Sequence, residues 1–231
     1  MTRIWVEDPE LEVGQVCTLS KEGSHHIGVL RKKLGDTVVL FQGIEGEYTG
    51  HIVGLGKKVQ VHINGYTPES RVLKVRQTLF VADCVAQKMG WIIQKATELG
   101  VYRIQIIHAQ RCQKKHTKED KISRLKKISI NAAEQCGLNR LPIINIPLPL
   151  EEAINPVAEV PMFLCDPKGS AWRGNKKSQD IAWIIGPEGG WSDKEYAFFQ
   201  GLSLDTICFG PTIYRMETAV CVALAVGGMS Y

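Results

Sequence analysis

The strongest constraint in this 231-residue chain is a pair of short apolar runs, Val160 to Cys165 and Ile181 to Ile185, neither broken by a polar residue. A strand with one wet face alternates polar and apolar positions, so a run without alternation reads as a strand covered on both sides. Such strands need helices above and below a parallel sheet, and the surrounding sequence supplies them. Leu73 to Ala82, Arg103 to His108, Ile143 to Ile146 and Leu204 to Phe209 read as further strands. Lys88 to Leu99, stopped by Gly100, Lys118 to Cys136, stopped by Gly137, and Arg215 to Val226 read as helices. Ser192-Asp193-Lys194-Glu195 is a capping box that opens another. An α/β domain with a mostly parallel sheet follows.

The first seventy residues have a different pattern. Asp36 to Phe41, Tyr48 to Val53 and Lys58 to Ile63 are short β-rich runs separated by glycine turns, and His25 to Leu34 reads as a short helix ending before Gly35. A small β domain over 1–70 and a larger α/β domain over 71–231 are expected, with the boundary near Tyr66 to Ser70. Charge divides the chain too. The net charge of +4 is the resultant of −2 over residues 1–70, +10 over 71–140 and −4 over 141–231. The basic zone is densest from Arg111 through Lys127; it attracts a polyanion such as RNA, or is a solvated helix face.

Other classes are excluded. With 44% hydrophobic and 23% charged residues the chain has the composition of a globular protein, not a disordered one. No run approaches the roughly 18 apolar residues of a membrane span, and residues 1–8 lack the apolar core of a signal peptide, so a cytoplasmic protein is expected. Seven scattered cysteines, odd in number and without a C-x-x-C pair, agree with reduced thiols. His108 and Cys112, four apart, have no second ligand pair, and no metal is expected.

Two glycine-rich loops carry the chemistry. Ile184-Ile185-Gly186-Pro187-Glu188-Gly189-Gly190 leaves a buried strand and enters the capped helix, and Phe209-Gly210-Pro211-Thr212-Ile213-Tyr214 leads into Arg215-Met216-Glu217-Thr218-Ala219. Loops at the carboxyl ends of strands are where ligands gather in open α/β sheets. Neither fits the phosphate-binding or dinucleotide-binding glycine patterns, and neither contains a lysine to meet a triphosphate. Their backbone groups suit a small, largely uncharged ligand such as an adenine ring; the alternative is two tight turns without a ligand.

Five segments together resemble the bacterial 16S ribosomal RNA (uracil(1498)-N3)-methyltransferase family of the SPOUT superfamily. They are His25-His26 with Val29-Leu30-Arg31, Gln94 to Val101, Ala132-Ala133-Glu134-Gln135-Cys136-Gly137, Ile185 to Ser192, and Gly210-Pro211 with Arg215 to Ala219. The resemblance implies an N-terminal PUA-like RNA-binding β-barrel and a C-terminal parallel-sheet domain with a deep trefoil knot. It also implies a homodimer and S-adenosylmethionine (SAM) as methyl donor. Three loops would hold the cofactor: Leu164, Cys165 and Asp166; Ile185, Gly186, Pro187, Glu188, Gly189 and Gly190; and Phe209, Gly210, Ile213, Tyr214, Met216, Thr218 and Ala219. Thr212, Tyr214 and Met216 depart from the family's usual arginine, leucine and threonine.

Methylation of uracil N3 requires removal of its proton, or stabilisation of the imide anion, while donor and acceptor are held in line. Arg215 is expected to position the base or a phosphate and Glu217 to accept the proton, the alternative being an Arg–Glu pair that only holds the loop. The partner implied is 16S rRNA, free or in the assembled small subunit. Arg3, Arg31, Lys32, Lys33, Arg111, Lys114, Lys115, Gln135 and Arg140 are the candidate RNA contacts, and Trp191 the candidate stacking platform. Two other readings stand beside this one: a SPOUT methyltransferase acting on another RNA base or position, and a non-catalytic RNA-binding ribosome-assembly factor.

Overall fold

The computed structural model describes residues 1–7, 10–112, 117, 119–154, 160–174, 180–202 and 204–229. They form two compact units, Met1–Val72 with Ala133–Leu141, and Leu73–Ala132 with Pro142–Tyr231.

The first unit contains β1 (Thr2–Trp5), β2 (Val16–Thr18), α1 (Lys21–Val29), β3 (Thr37–Phe41), β4 (Glu47–Leu55) and β5 (Val59–Thr67). The sheet order is β1-β3-β4-β5-β2, with β1 parallel to β3 and the other pairs antiparallel. β1 and β2 are its edges, so among the described residues main-chain hydrogen bonds do not close the implied barrel. Alternate residues of the strands bury one face: Ile4, Val38, Leu40, Ile52, Val61 and Ile63 pack with Leu19 and with Ile27 of α1. Helix α1 begins earlier than the sequence reading placed it, because the Ser20 hydroxyl accepts the Gly23 amide at 3.0 Å and caps the first turn. It also ends earlier, at Val29, and Arg31 adopts a left-handed φ of 52° that a helix cannot contain. Arg31, Lys32 and Lys33 therefore follow the helix instead of forming its last turn. Two residues of the recognised segments meet here: Glu134 accepts the Trp5 amide at 3.0 Å and lies 3.4 Å from His26.

The second unit contains β6 (Arg76–Ala82), α2 (Ala86–Glu98), β7 (Arg103–His108) and α3 (Ile122–Cys136), whose first turn follows a 3-10 turn at Glu119–Lys121. Then come β8 (Ile143–Pro149), α4 (Leu150–Ile154), β9 (Met162–Ala171), β10 (Asp180–Ile185), α5 (Asp193–Gln200), β11 (Asp205–Cys208) and α6 (Met216–Gly228). The strand order is β11-β9-β10-β6-β7-β8, and every pairing is parallel. The unalternated run behaves as argued: Ile181, Ala182, Trp183 and Ile184 of β10 are all fully buried. A polar bolt crosses this core. Buried Gln77 of β6 accepts the Trp183 indole N–H at 2.9 Å and donates to the Leu224 carbonyl of α6 at 3.0 Å. The capping box at Ser192 forms with both of its hydrogen bonds.

Strand β9 runs past Cys165 to Ala171 with a register shift against β11, so Asp166 and Pro167 interrupt the ladder without ending the strand. Strand β8 likewise continues through Pro147, which an edge strand tolerates because one row of its amides has no ladder partner. What positions the site is the order of insertion. The chain builds β6, β7 and β8 outward, then places β10 between β9 and β6, so the carboxyl ends of β9, β10 and β11 lie together where the order reverses.

Candidate active site

At that reversal the loops following β10 and β11, with the interrupted segment of β9, enclose a cavity of about 410 Å³. From β9 it is lined by Cys165, Asp166 and Pro167; from the β10 loop by Ile185, Gly186, Pro187, Glu188, Gly190 and Trp191. The third wall is Ile207, Cys208 and Phe209 of the β11 end, then Thr212, Ile213, Tyr214, Arg215, Met216 and Ala219. Of the residues expected to hold a cofactor, most come together here. Leu164 is buried in the sheet instead, and Gly210 and Thr218 do not reach the cavity. Gly189 faces a neighbouring recess of about 40 Å³ that shares Pro187, Glu188 and Met216 with the main cavity.

The β10 loop is shaped by close packing. A Cβ on Gly186 would lie 2.8 Å from Trp191 Cε2 and 2.9 Å from its Nε1. Gly190 has a φ of +68°, in the left-handed region that favours glycine. The Trp191 ring, only 3% exposed, packs edge-on against Phe199 at 4.8 Å and supports the loop from below. A buried support does not offer a stacking face to RNA, which corrects the role expected of Trp191. The loop is pinned at its far end as well, where Glu195 of the capping box also accepts the Gln110 amide at 2.8 Å.

Polar groups converge on the cavity from three sides. The Asp166 carboxylate is buried, accepts the Tyr196 hydroxyl at 2.5 Å and the Lys168 amide at 2.8 Å, and so is fixed in place. Burial, together with that carboxylate, pushes the Tyr196 phenol up to about 12. Burial also pushes the Cys165 thiol upward, so it lines the cavity as an un-ionised group. Arg215 is the exposed N-cap residue of α6 and makes no capping hydrogen bond with its side chain. Glu217, in the first turn of α6, lies beside the recess. Its Oε2 is 3.3 Å from the Lys88 ammonium, a charge contact without hydrogen-bond alignment. Burial presses the Glu217 carboxyl upward, but its own backbone amide, Lys88 and Arg215 outweigh that and hold it below the usual carboxylate range. Lys88 also binds Glu188. Lys88 escaped the sequence reading: its partners are distant in sequence, and nothing in the sequence of α2 marks it apart from other lysines.

The candidate RNA contacts are dispersed. Arg3 is a correction: its guanidinium is buried, donates to Glu47 at 2.7 Å and stands over the Phe41 ring, so it is held inside the first unit. Arg31 and Lys33 are exposed and Lys32 half-buried, Gln135 is exposed, and Arg140 lies 3.4 Å from Glu45. Arg111 is exposed and donates to the Gly189 carbonyl at 3.3 Å. Lys114 and Lys115 lie outside the described residues. His108 lies 3.6 Å from Asp83, and among the described residues no three His, Cys, Asp or Glu side chains gather as a metal site. None of the seven cysteines forms a disulfide. Among the described residues, no helix is long and apolar enough to cross a membrane.

Comparison with known proteins identifies the frame in which this cavity sits. Residues 71–227 match the model of an RNA methyltransferase domain. The chain belongs to that family. Residues 19–63 match the PUA domain associated with it. A ribosomal RNA small subunit methyltransferase E from Buchnera aphidicola is 29% identical over 96% of this chain and 90% of its own length. Among solved structures, a putative methyltransferase from Legionella pneumophila in complex with SAM is 34% identical, with a TM-score of 0.91 over 97% of this chain and 96% of its own. A ribosomal RNA small subunit methyltransferase E from Neisseria gonorrhoeae bound to SAM is 26% identical, also at 0.91, over 97% and 95%.

Proposed function

We propose that this chain transfers a methyl group from S-adenosylmethionine to N3 of one uridine in the 16S rRNA of the small ribosomal subunit. The observation that carries the reading is the cavity at the strand-order reversal of a domain belonging to an RNA methyltransferase family. Its volume lies within the roughly 300–1,000 Å³ of small-molecule sites. The residues present fit the donor. Gly186 leaves a backbone cradle that a side chain would fill, Ile185, Ile207 and Phe209 give apolar walls, and the Asp166 carboxylate can meet a cationic group. Bound there, the cofactor supplies an electrophilic methyl group on a sulfonium.

The protein's task is then to present a nitrogen lone pair. Arg215, exposed at the cavity rim, can place its charge against the uracil oxygens and stabilise the negative charge that develops as N3 loses its proton. Glu217 is kept ionised by its own backbone amide, Lys88 and Arg215, so at neutral pH it is in the proton-accepting form, although only weakly basic. The base must be turned out of its stack to reach the cavity, and the PUA domain and the basic stretch around α3 can hold the flanking phosphates. The reading includes a homodimer and a chain threaded as a trefoil knot, as the resemblance implies.

Mapping of modified uridines in 16S rRNA and in small subunits, before and after incubation with the protein and S-adenosylmethionine, tests the proposal. One uridine that gains an N3-methyl group is the expected result. Methylation at another atom or base, or none, refutes it. Single-turnover rates against pH test Glu217: if Glu217→Gln leaves rate and profile unchanged, it is not the proton acceptor.

A further inference from the structure

Lys88 lies in the first turn of α2, away from both glycine loops in sequence, yet its ammonium touches Glu188 of the β10 loop and Glu217 of α6. Glu188 lines the main cavity, and Glu217 follows Met216, which lines the opposite side. We propose that Lys88 is a positioning residue that clamps the Gly186–Gly190 loop to the first turn of α6, fixing the spacing of the two cavity walls for the cofactor. The proposal rests on the reading that this cavity takes S-adenosylmethionine.

The electrostatics make the clamp one-sided. Two carboxylates share one cation, so removal of the cation leaves like charges facing each other. The Lys88 and Glu217 side chains are only 21% and 20% exposed, so solvent screens their contact incompletely; Glu188, at 51%, contributes less. Other charged and titratable groups nearby are already engaged or placed elsewhere. The Asp83 carboxylate accepts the Thr117 amide and hydroxyl and the Cys84 amide. Arg111 turns to the Gly189 carbonyl, Arg215 sits exposed at the N-cap of α6, and burial holds the Cys84 and Cys112 thiols un-ionised. Among the described residues, Lys88 is thus the cation in contact with both glutamates.

The test is calorimetric titration of the full-length chain with S-adenosylmethionine, near pH 8 and near pH 5, with folding checked by circular dichroism. Lys88→Met is expected to weaken binding about tenfold near pH 8 and by less near pH 5, where protonation of one carboxyl relieves the repulsion. Adding Glu188→Gln to Lys88→Met should recover most of the loss, and Lys88→Arg should stay within about threefold of wild type. A purely structural lysine moves none of these contrasts. Lys88→Met that binds like wild type, or that loses affinity equally at both pH values and is not rescued by Glu188→Gln, overturns the clamp alone. If Lys88→Met does not fold, Lys88→Gln takes its place at the same two pH values, and affinity equal to wild type overturns the proposal. Wild-type protein that fails to bind refutes the cofactor reading, and the clamp with it.

Discussion

Gly186→Ala tests whether the β10 loop is set by packing against a rigid ring. The added methyl would lie 2.8 Å, 2.9 Å and 3.2 Å from Cε2, Nε1 and Cζ2 of Trp191. Carbon atoms pack at about 3.5–4.0 Å, so loop and indole must separate by roughly 0.7 Å or more. The indole has little freedom to yield, being 3% exposed and wedged against Phe199. Overpacking of this kind costs about 1–3 kcal/mol, and the loop relieves it by moving into the cavity that it lines. A loss of tenfold or more in S-adenosylmethionine affinity is expected, because about 1.4 kcal/mol corresponds to a factor of ten. Calorimetric titration reads the affinity and thermal unfolding the strain. Trp191→Phe in the same chain should return part of the affinity, since the smaller ring vacates the space the methyl enters; this makes a double-mutant cycle. Affinity within twofold of wild type and an unchanged melting temperature for Gly186→Ala would show that the loop is not held by this contact.

Gln77→Leu should strip the Trp183 indole N–H of its acceptor inside the core and cost about 1–3 kcal/mol. A fall in melting temperature of roughly 2–12 °C is expected for a chain of this size, and a fall below 2 °C would exclude the bolt as a stabilising element. Tyr196→Phe isolates an alkaline effect. The folded phenol holds its proton up to about 12 against 10.0 for an unperturbed one, so its stabilising contribution is complete below pH 10 and is lost as pH rises toward 12. Urea midpoints of wild type should therefore decline more steeply than those of the variant across that window; parallel declines contradict the assignment. For RNA, Arg124→Ala and Lys126→Ala on exposed positions of α3 should each reduce the slope of log affinity against log salt by about 0.7–0.9, and a slope that does not change removes α3 from the interface.

The site was more legible than its surroundings because glycines, a capping box and unalternated strands are local signals. The loops Ile185 to Gly190 and Phe209 to Ala219 could be read directly, since each follows a strand and enters a helix. Strand β1 was missed: four residues beside the chain start carry too little pattern, and the parallel partner β3 that fixes them is distant in sequence. The apolar run ends at Cys165, yet β9 resumes beyond Asp166-Pro167 because β11 provides a second ladder past the interruption. Arg3 read as a surface cation because a sequence shows charge but not the buried Glu47 that answers it. Lys88 shows the same limit, since its meaning lies wholly in Glu188 and Glu217, which only the fold brings near.

The placement of β10 between β9 and β6 also has a temporal consequence. Every wall of the cavity comes from residues 165–219, so during synthesis no such cavity exists until residue 219 has left the ribosome. The central strand must then slot between neighbours made at different times, an arrangement rich in distant contacts and therefore slow to assemble. A nascent or truncated chain that stops before α6 can carry its basic segment and its N-terminal unit while having no completed cavity.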